Sequence, residues 1–75
     1  MNTPRLPVIS GHVAVKAFTK AGWKVRRQTA SHIIMKKEGF SVSLSVPLHT
    51  EVKRGTLRDL ITDSGMTVED FINRI

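Results

Sequence analysis

The chain has 75 residues, 12 Lys+Arg against 6 Asp+Glu, 3 His and no Cys, giving a net charge of +6. That length suits one domain, 1–75, that buries only about 60% of its unfolded surface, and a 40% hydrophobic content can build its core. Disulfide scaffolds, thiolate chemistry and cysteine zinc sites are excluded. There is also no membrane-length apolar run, no signal-peptide pattern and no phosphate-binding glycine motif. The expectation is a cytoplasmic domain with no cofactor, no metal and no membrane contact, whose basic balance points to a polyanion.

Residues 1–9, with Pro4 and Pro7, read as an extended lead-in. Ser10 is a good helix N-cap and Gly22 a good C-terminal stop. Between them Val13, Ala14, Ala17, Phe18 and Ala21 recur at helical spacing, leaving Lys16 and Lys20 off the apolar face. From Trp23 the period changes to two, and Trp23 and Val25 alternate with Lys24 and Arg26 in a strand ending near Gln28. The turn Thr29-Ala30-Ser31 leads to a second strand, 32–37, and Glu38-Gly39 is placed as a two-residue hairpin connection. Phe40, Val42, Leu44, Val46 and Leu48 then alternate with Ser41, Ser43 and Ser45, so the third strand has one core face and one wet face. Leu57, Leu60 and Ile61 define a second helix stopped by Gly65. Thr67 opens a short third helix with Val68, Phe71, Ile72 and Ile75 as its stripe. The order α-β-β-β-α-α makes a two-layer α+β domain: a three-stranded antiparallel sheet with helices on its single apolar face.

Register decides what the wet face carries. A tight turn at 38–39 sets His32 opposite Ser45, Ile34 opposite Ser43 and Lys36 opposite Ser41. A three-residue turn at 29–31 sets Gln28 opposite His32, Arg26 opposite Ile34 and Lys24 opposite Lys36. The open face then reads Lys24, Arg26, Gln28, His32, Lys36, Ser41, Ser43 and Ser45, with no carboxylate. Like charges in cross-strand positions weaken a sheet unless an anion lies between them. The face is therefore either a solvated surface or an anion-binding one, and the missing carboxylates favour binding. Lys53 and Arg54, entering the second helix, form a second candidate anion site. Residues 1–58 hold 11 Lys+Arg and 2 Asp+Glu, whereas 59–75 hold 1 and 4, so the positive charge belongs to the first helix, the sheet and the 53–58 segment. Trp23, Phe18, Phe40 and Phe71 all fall on apolar faces, so base-stacking platforms are not expected.

Of the three histidines, His12 lies in the first turn of a helix, where the dipole disfavours a cation. His32 sits on the cationic face, and His49 falls on the same side by parity if the strand geometry persists past Pro47. The stretches Ser10-Gly11, Ala21-Gly22-Trp23, Arg27-Gln28, Ser31-His32, Val46-Pro47-Leu48-His49 and Lys53-Arg54-Gly55-Thr56-Leu57-Arg58 resemble the HicA family of mRNA interferase toxins. So does the ending with Gly65, Thr67 and Glu69 to Phe71, and the resemblance runs from about Leu6 to Ile75. It implies a double-stranded-RNA-binding-domain-like α-β-β-β-α fold and cleavage of mRNA. With no cluster of metal-ligand spacing in the chain, the expected mechanism is metal-independent and the expected substrate single-stranded mRNA. The histidine of a Gly-Ser-His motif, here Ala30-Ser31-His32, would be catalytic, and a HicB-type antitoxin would be the protein partner. Many members carry a second histidine where this chain has Ile33.

On this reading His32 is the catalytic residue, imidazole being suited to proton transfer near neutrality. Lys24, Arg26, Gln28, Ser31, Lys36, His49, Lys53 and Arg54 are the expected RNA-binding residues. His49 is assigned to substrate binding, with complementary proton transfer as its alternative. The competing function is a non-catalytic double-stranded-RNA-binding module gripping phosphates through Lys53 and Arg54.

Overall fold

Ser10 starts the first helix as expected. Its side chain accepts the Val13 N–H at 3.2 Å and opens α1 (Gly11–Lys20). Ala14, Ala17 and Phe18 are buried along the stripe, and Gly22, at φ 99°, turns the chain out of the helix. The computed structural model describes residues 5–75, so the first four residues of the expected lead-in, Pro4 among them, lie outside the described residues.

Three antiparallel strands follow, β1 (Lys24–Gln28), β2 (His32–Lys36) and β3 (Leu44–Pro47), in the order β1-β2-β3. Two register expectations are corrected. In the first hairpin Lys24 faces Lys36 as expected, but a β-bulge follows Val25 and makes Arg27, rather than Arg26, the partner of Ile34. Gln28 consequently faces Ile33 and not His32. A bulge sets two residues against one, so both arginines stand over Ile34. In the second hairpin His32 faces Pro47, Ile34 faces Ser45 and Met35 faces Leu44, a displacement of two residues from the tight-turn register.

The cause of that displacement lies at Phe40. The turn at Glu38-Gly39 does form, with Gly39 at φ 87° and the Phe40 N–H on the Lys37 carbonyl at 3.1 Å. Phe40 does not begin the third strand, however. Its ring packs on Trp23 at 5.1 Å between centroids, with Lys37 Nζ 5.4 Å from its own centroid. Lys37 is held there by donating to the Ala21 carbonyl at 2.8 Å. The chain makes this aromatic contact first and enters the ladder only at Leu44. Val42, expected inside, is therefore 42% exposed, and Ser41 and Ser43 lie outside the strand. Because the slip is an even number, the faces keep their identity. Ile33, Met35, Leu44 and Val46 remain core, and Ile34 and Ser45 share the outer side. Val25 is on the core side with Met35, yet at 49% exposure it lies at an edge the helices leave uncovered.

The second helix, α2 (Arg54–Asp63), buries Leu57, Leu60 and Ile61, and Gly65 at φ 78° ends the turn after it. Thr67 then caps α3 (Val68–Ile72) by accepting the Asp70 N–H at 3.1 Å. Phe71 of α3 meets Phe18 of α1 at 5.0 Å, closing the helical layer. Ile75, placed in that stripe by its spacing, lies beyond the helix and is exposed. Each fully buried Leu, Val or Phe contributes about 1.5–3 kcal/mol of burial free energy. Leu6 of the lead-in belongs to this core at 1% exposure and Ile9 packs against it, so the lead-in is anchored to the packed body at these two residues. The Cα radius of gyration is 11.6 Å.

Candidate active site

The turn between β1 and β2 is organised by one hydroxyl. Thr29 Oγ accepts the His32 N–H at 3.0 Å and the Ser31 N–H at 3.3 Å, while the Thr29 N–H donates to the His32 carbonyl at 2.9 Å. This fixes the backbone of residues 29–32 and sets His32 as the first residue of the central strand. Ala30 fits without strain, because no non-glycine residue among those described has a positive φ. Ser31 Oγ lies 2.8 Å from His32 Nδ1, engaging one ring nitrogen and orienting the imidazole. Ile33 points the other way and is buried against the core, so nothing at that position reaches the His32 side.

The far wall is built by β3 and the loop after it. The Leu48 N–H donates to the Ser31 carbonyl at 2.8 Å, tying the strand end to the residue before His32. The Gly11 N–H donates to the His49 carbonyl at 2.9 Å, and the Val52 N–H to the Ile9 carbonyl at 2.8 Å. Gly11 is required there: a Cβ would land on the carbonyl oxygen of Pro47. The loop then enters α2 through Lys53, whose side chain makes no capping bond, and no acidic residue occupies the first turn. An uncapped helix start carries unpaired N–H groups and the positive end of the dipole. By contrast, α3 has both a threonine cap and two acidic residues in its first turn.

These pieces enclose an open cavity of about 290 Å³ lined by His32, Ser45, Pro47, His49, Lys53 and Thr56. Both imidazoles, one lysine and two hydroxyls line it, and no carboxylate does. Among the described residues, no three His, Asp or Glu side chains group as metal ligands.

The expected site residues separate into four sets. His32, His49 and Lys53 meet in the cavity, with Ser31 directly behind His32. Lys24 and Lys36 do face one another, but at the opposite end of β2 from His32, four residues or about 13 Å along the strand. Arg26 and Gln28 are exposed on edge strand β1, outside the cavity. Arg54 turns away: its Nε donates to the Leu6 carbonyl at 2.8 Å, and it lines a separate hollow with Val8, Glu51, Val52 and Lys53. Thr56 was not foreseen, although its spacing of three from Lys53 at a helix start carries the signal. Arg27 was missed because alternation has no way to announce a bulge.

Fold and site together define a class: a small basic α-β-β-β-α domain with helices on one face of its sheet and a histidine cavity at one end of it. The family described as the HicA toxin of bacterial toxin-antitoxin systems matches residues 13–66, and the chain belongs to that family. It is a toxin of the toxin–antitoxin type. Among solved structures, it is similar to a chain of a toxin-antitoxin complex from Streptococcus pneumoniae. The two share 30% sequence identity at a TM-score of 0.68, over 77% of this chain and 98% of that one. No curated protein matches it in sequence. No helix among the described residues is long and apolar enough to cross a membrane.

Proposed function

We propose that this toxin is an endoribonuclease that cleaves mRNA by a metal-independent mechanism in which His32 moves a proton. The observation that carries the reading is the His32 imidazole, braced by Ser31 at Nδ1, in a cavity lined by Lys53 and a second histidine and by no carboxylate. RNA brings its own nucleophile. The 2′-oxygen attacks the adjacent phosphorus, the P–O5′ bond breaks, and the strand ends in a 2′,3′-cyclic phosphate and a 5′-hydroxyl. The protein then has to hold the phosphate, move protons and stabilise the added negative charge.

Lys53 and the open start of α2 suit the phosphate, offering a cation and backbone N–H donors on one side of the cavity. Ser31 leaves His32 Nε2 as the nitrogen for proton transfer. The exposed cations of β1 and β2, Lys24, Arg26, Arg27 and Lys36, extend this charge along the sheet for the flanking strand. Membership of the HicA family, and likeness to a chain of a toxin-antitoxin complex, support a HicB-type antitoxin as the protein partner.

The test is cleavage of single-stranded RNA in the presence of EDTA by the wild-type chain and by His32→Ala. Loss of one positioned proton-transfer group lowers the rate by about 10²–10⁴-fold. Equal cleavage by both proteins would refute the assignment. Tight duplex binding with no strand loss, unchanged in His32→Ala, would establish the non-catalytic RNA-binding module instead.

A further inference from the structure

Cleavage through the 2′-oxygen needs two proton transfers, one from the 2′-hydroxyl and one to the departing O5′. His32 supplies one group. The cavity shows what is available for the other: Ser45, Pro47, His49, Lys53 and Thr56. Hydroxyls and an ammonium are poorly matched to reversible proton exchange near neutrality, whereas imidazole is well matched. No carboxylate lines the cavity. Glu51, two residues from His49, lines the other hollow with Val8 and Arg54.

The backbone also treats His49 as a fixed part. It is held from the β2 side by Leu48 N–H on the Ser31 carbonyl and from the α1 side by Gly11 N–H on its own carbonyl. Three residues on, Val52 N–H reaches the Ile9 carbonyl. Anchored before, at and after its position, the His49 backbone is held in place at the cavity wall, which its side chain lines.

We propose that His49 is the second catalytic residue, exchanging protons with the substrate in concert with His32; this rests on the ribonuclease reading above. One imidazole takes the 2′-hydroxyl proton as the O2′–P bond forms. The other, entering as imidazolium, gives its proton to O5′ as the P–O5′ bond breaks and its electron pair moves to that oxygen. The two rings end with protonation states exchanged, and water restores them.

The experiment compares wild type, His32→Ala, His49→Ala and His49→Gln on ordinary RNA and on RNA with a 5′-bridging phosphorothiolate at the scissile position. A thiolate leaving group departs without being protonated, so this substrate relieves a variant lacking the proton donor. RNA binding is followed by anisotropy, and folding by the fluorescence of Trp23. The expected result is a fall in kcat of about 10² or more for each His49 variant, with RNA affinity close to wild type. The sulfur substrate restores the variants of one histidine only. Near-wild-type kcat in His49→Gln, a loss seen only in affinity, or rescue of both histidines or of neither would overturn the proposal. Full activity in His32→Ala, or no cleavage by any form, would instead overturn the ribonuclease reading itself.

Discussion

Replacing glycine by alanine in the first turn of a helix should have opposite effects at the two places where this chain allows the comparison. Gly11 opens α1 and Gly55 is the second residue of α2. Helix propensity alone favours alanine at both, by up to about 1 kcal/mol. At Gly55 nothing lies within 4 Å of an added Cβ, so the full gain of about 0.5–1 kcal/mol is expected. At Gly11 the Cβ would occupy the position of the Pro47 carbonyl oxygen and crowd Leu48 Cα at 3.1 Å. Those atoms are backbone, fixed by the strand ladder and by the Leu48 N–H on Ser31. The helix must therefore move, at an overpacking cost of about 1–3 kcal/mol. Loss of the Gly11–His49 hydrogen bond adds about 0.5–1.5 kcal/mol, so after the propensity gain a net loss of about 2 kcal/mol is expected. A 75-residue domain has about 4–11 kcal/mol of stability in total, which leaves Gly11→Ala folded enough to measure.

Trp23 is the only tryptophan and is buried, so its fluorescence reports the transition directly. At about 4–8 °C per kcal/mol, Gly11→Ala should melt about 8–16 °C below wild type and Gly55→Ala a few degrees above it. A Gly11→Ala protein melting at or above the wild-type temperature, or the two variants shifting together, would refute the reasoning that the α1 start is seated against the end of β3.

Other outcomes follow from the same contacts. Ser31→Ala removes the brace on His32 Nδ1 and should lower kcat for RNA cleavage by up to about tenfold, the worth of one hydrogen bond, while leaving the melting curve unchanged, Ser31 being exposed. Leu6→Ala opens the core beneath the lead-in and should cost about 2–5 kcal/mol in urea unfolding. Lys53→Ala should weaken RNA binding and reduce the slope of log affinity against log salt by about 0.7, the value for one single-strand phosphate contact. Lys36→Ala, at the far end of β2, should leave kcat unchanged in the same cleavage assay.

Face identity was more legible than register. The alternation separates core from solvent only from Leu44 on, where Leu44 and Val46 are buried and Ser45 is exposed, whereas Val42 falls outside the strand and is exposed. Within the strand a slip of two residues leaves parity intact, and the actual displacement is two. Its origin was not legible, since Phe40 fits equally as the first core residue of a strand or as a cover for Trp23. Tertiary packing chose the second. The bulge at Arg26 and Arg27 was hidden for a related reason, as two adjacent arginines on an exposed edge give alternation nothing to discriminate. For the site, parity would put His49 beside His32 only in a strand running past Pro47. β3 ends at Pro47, and the loop tied to Ser31 and Gly11 is what brings the two histidines to one cavity. Parity says which face a residue occupies but not which end of the strand. For that reason Lys24 and Lys36 were grouped with a histidine that lies about 13 Å away along β2. Lys53 and Arg54 share their chemistry in the sequence, and only the Leu6 carbonyl, 48 positions away, places Arg54 outside the cavity that Lys53 lines.

The most direct measurement of the central claim is the chemistry of the RNA ends made by the purified chain in EDTA, on one strand with a normal scissile ribose and one with a 2′-deoxyribose there. The account predicts 2′,3′-cyclic phosphate and 5′-hydroxyl ends on the first strand and an intact second strand. Cleavage of the deoxy strand, or 5′-phosphate ends on the normal one, would contradict it.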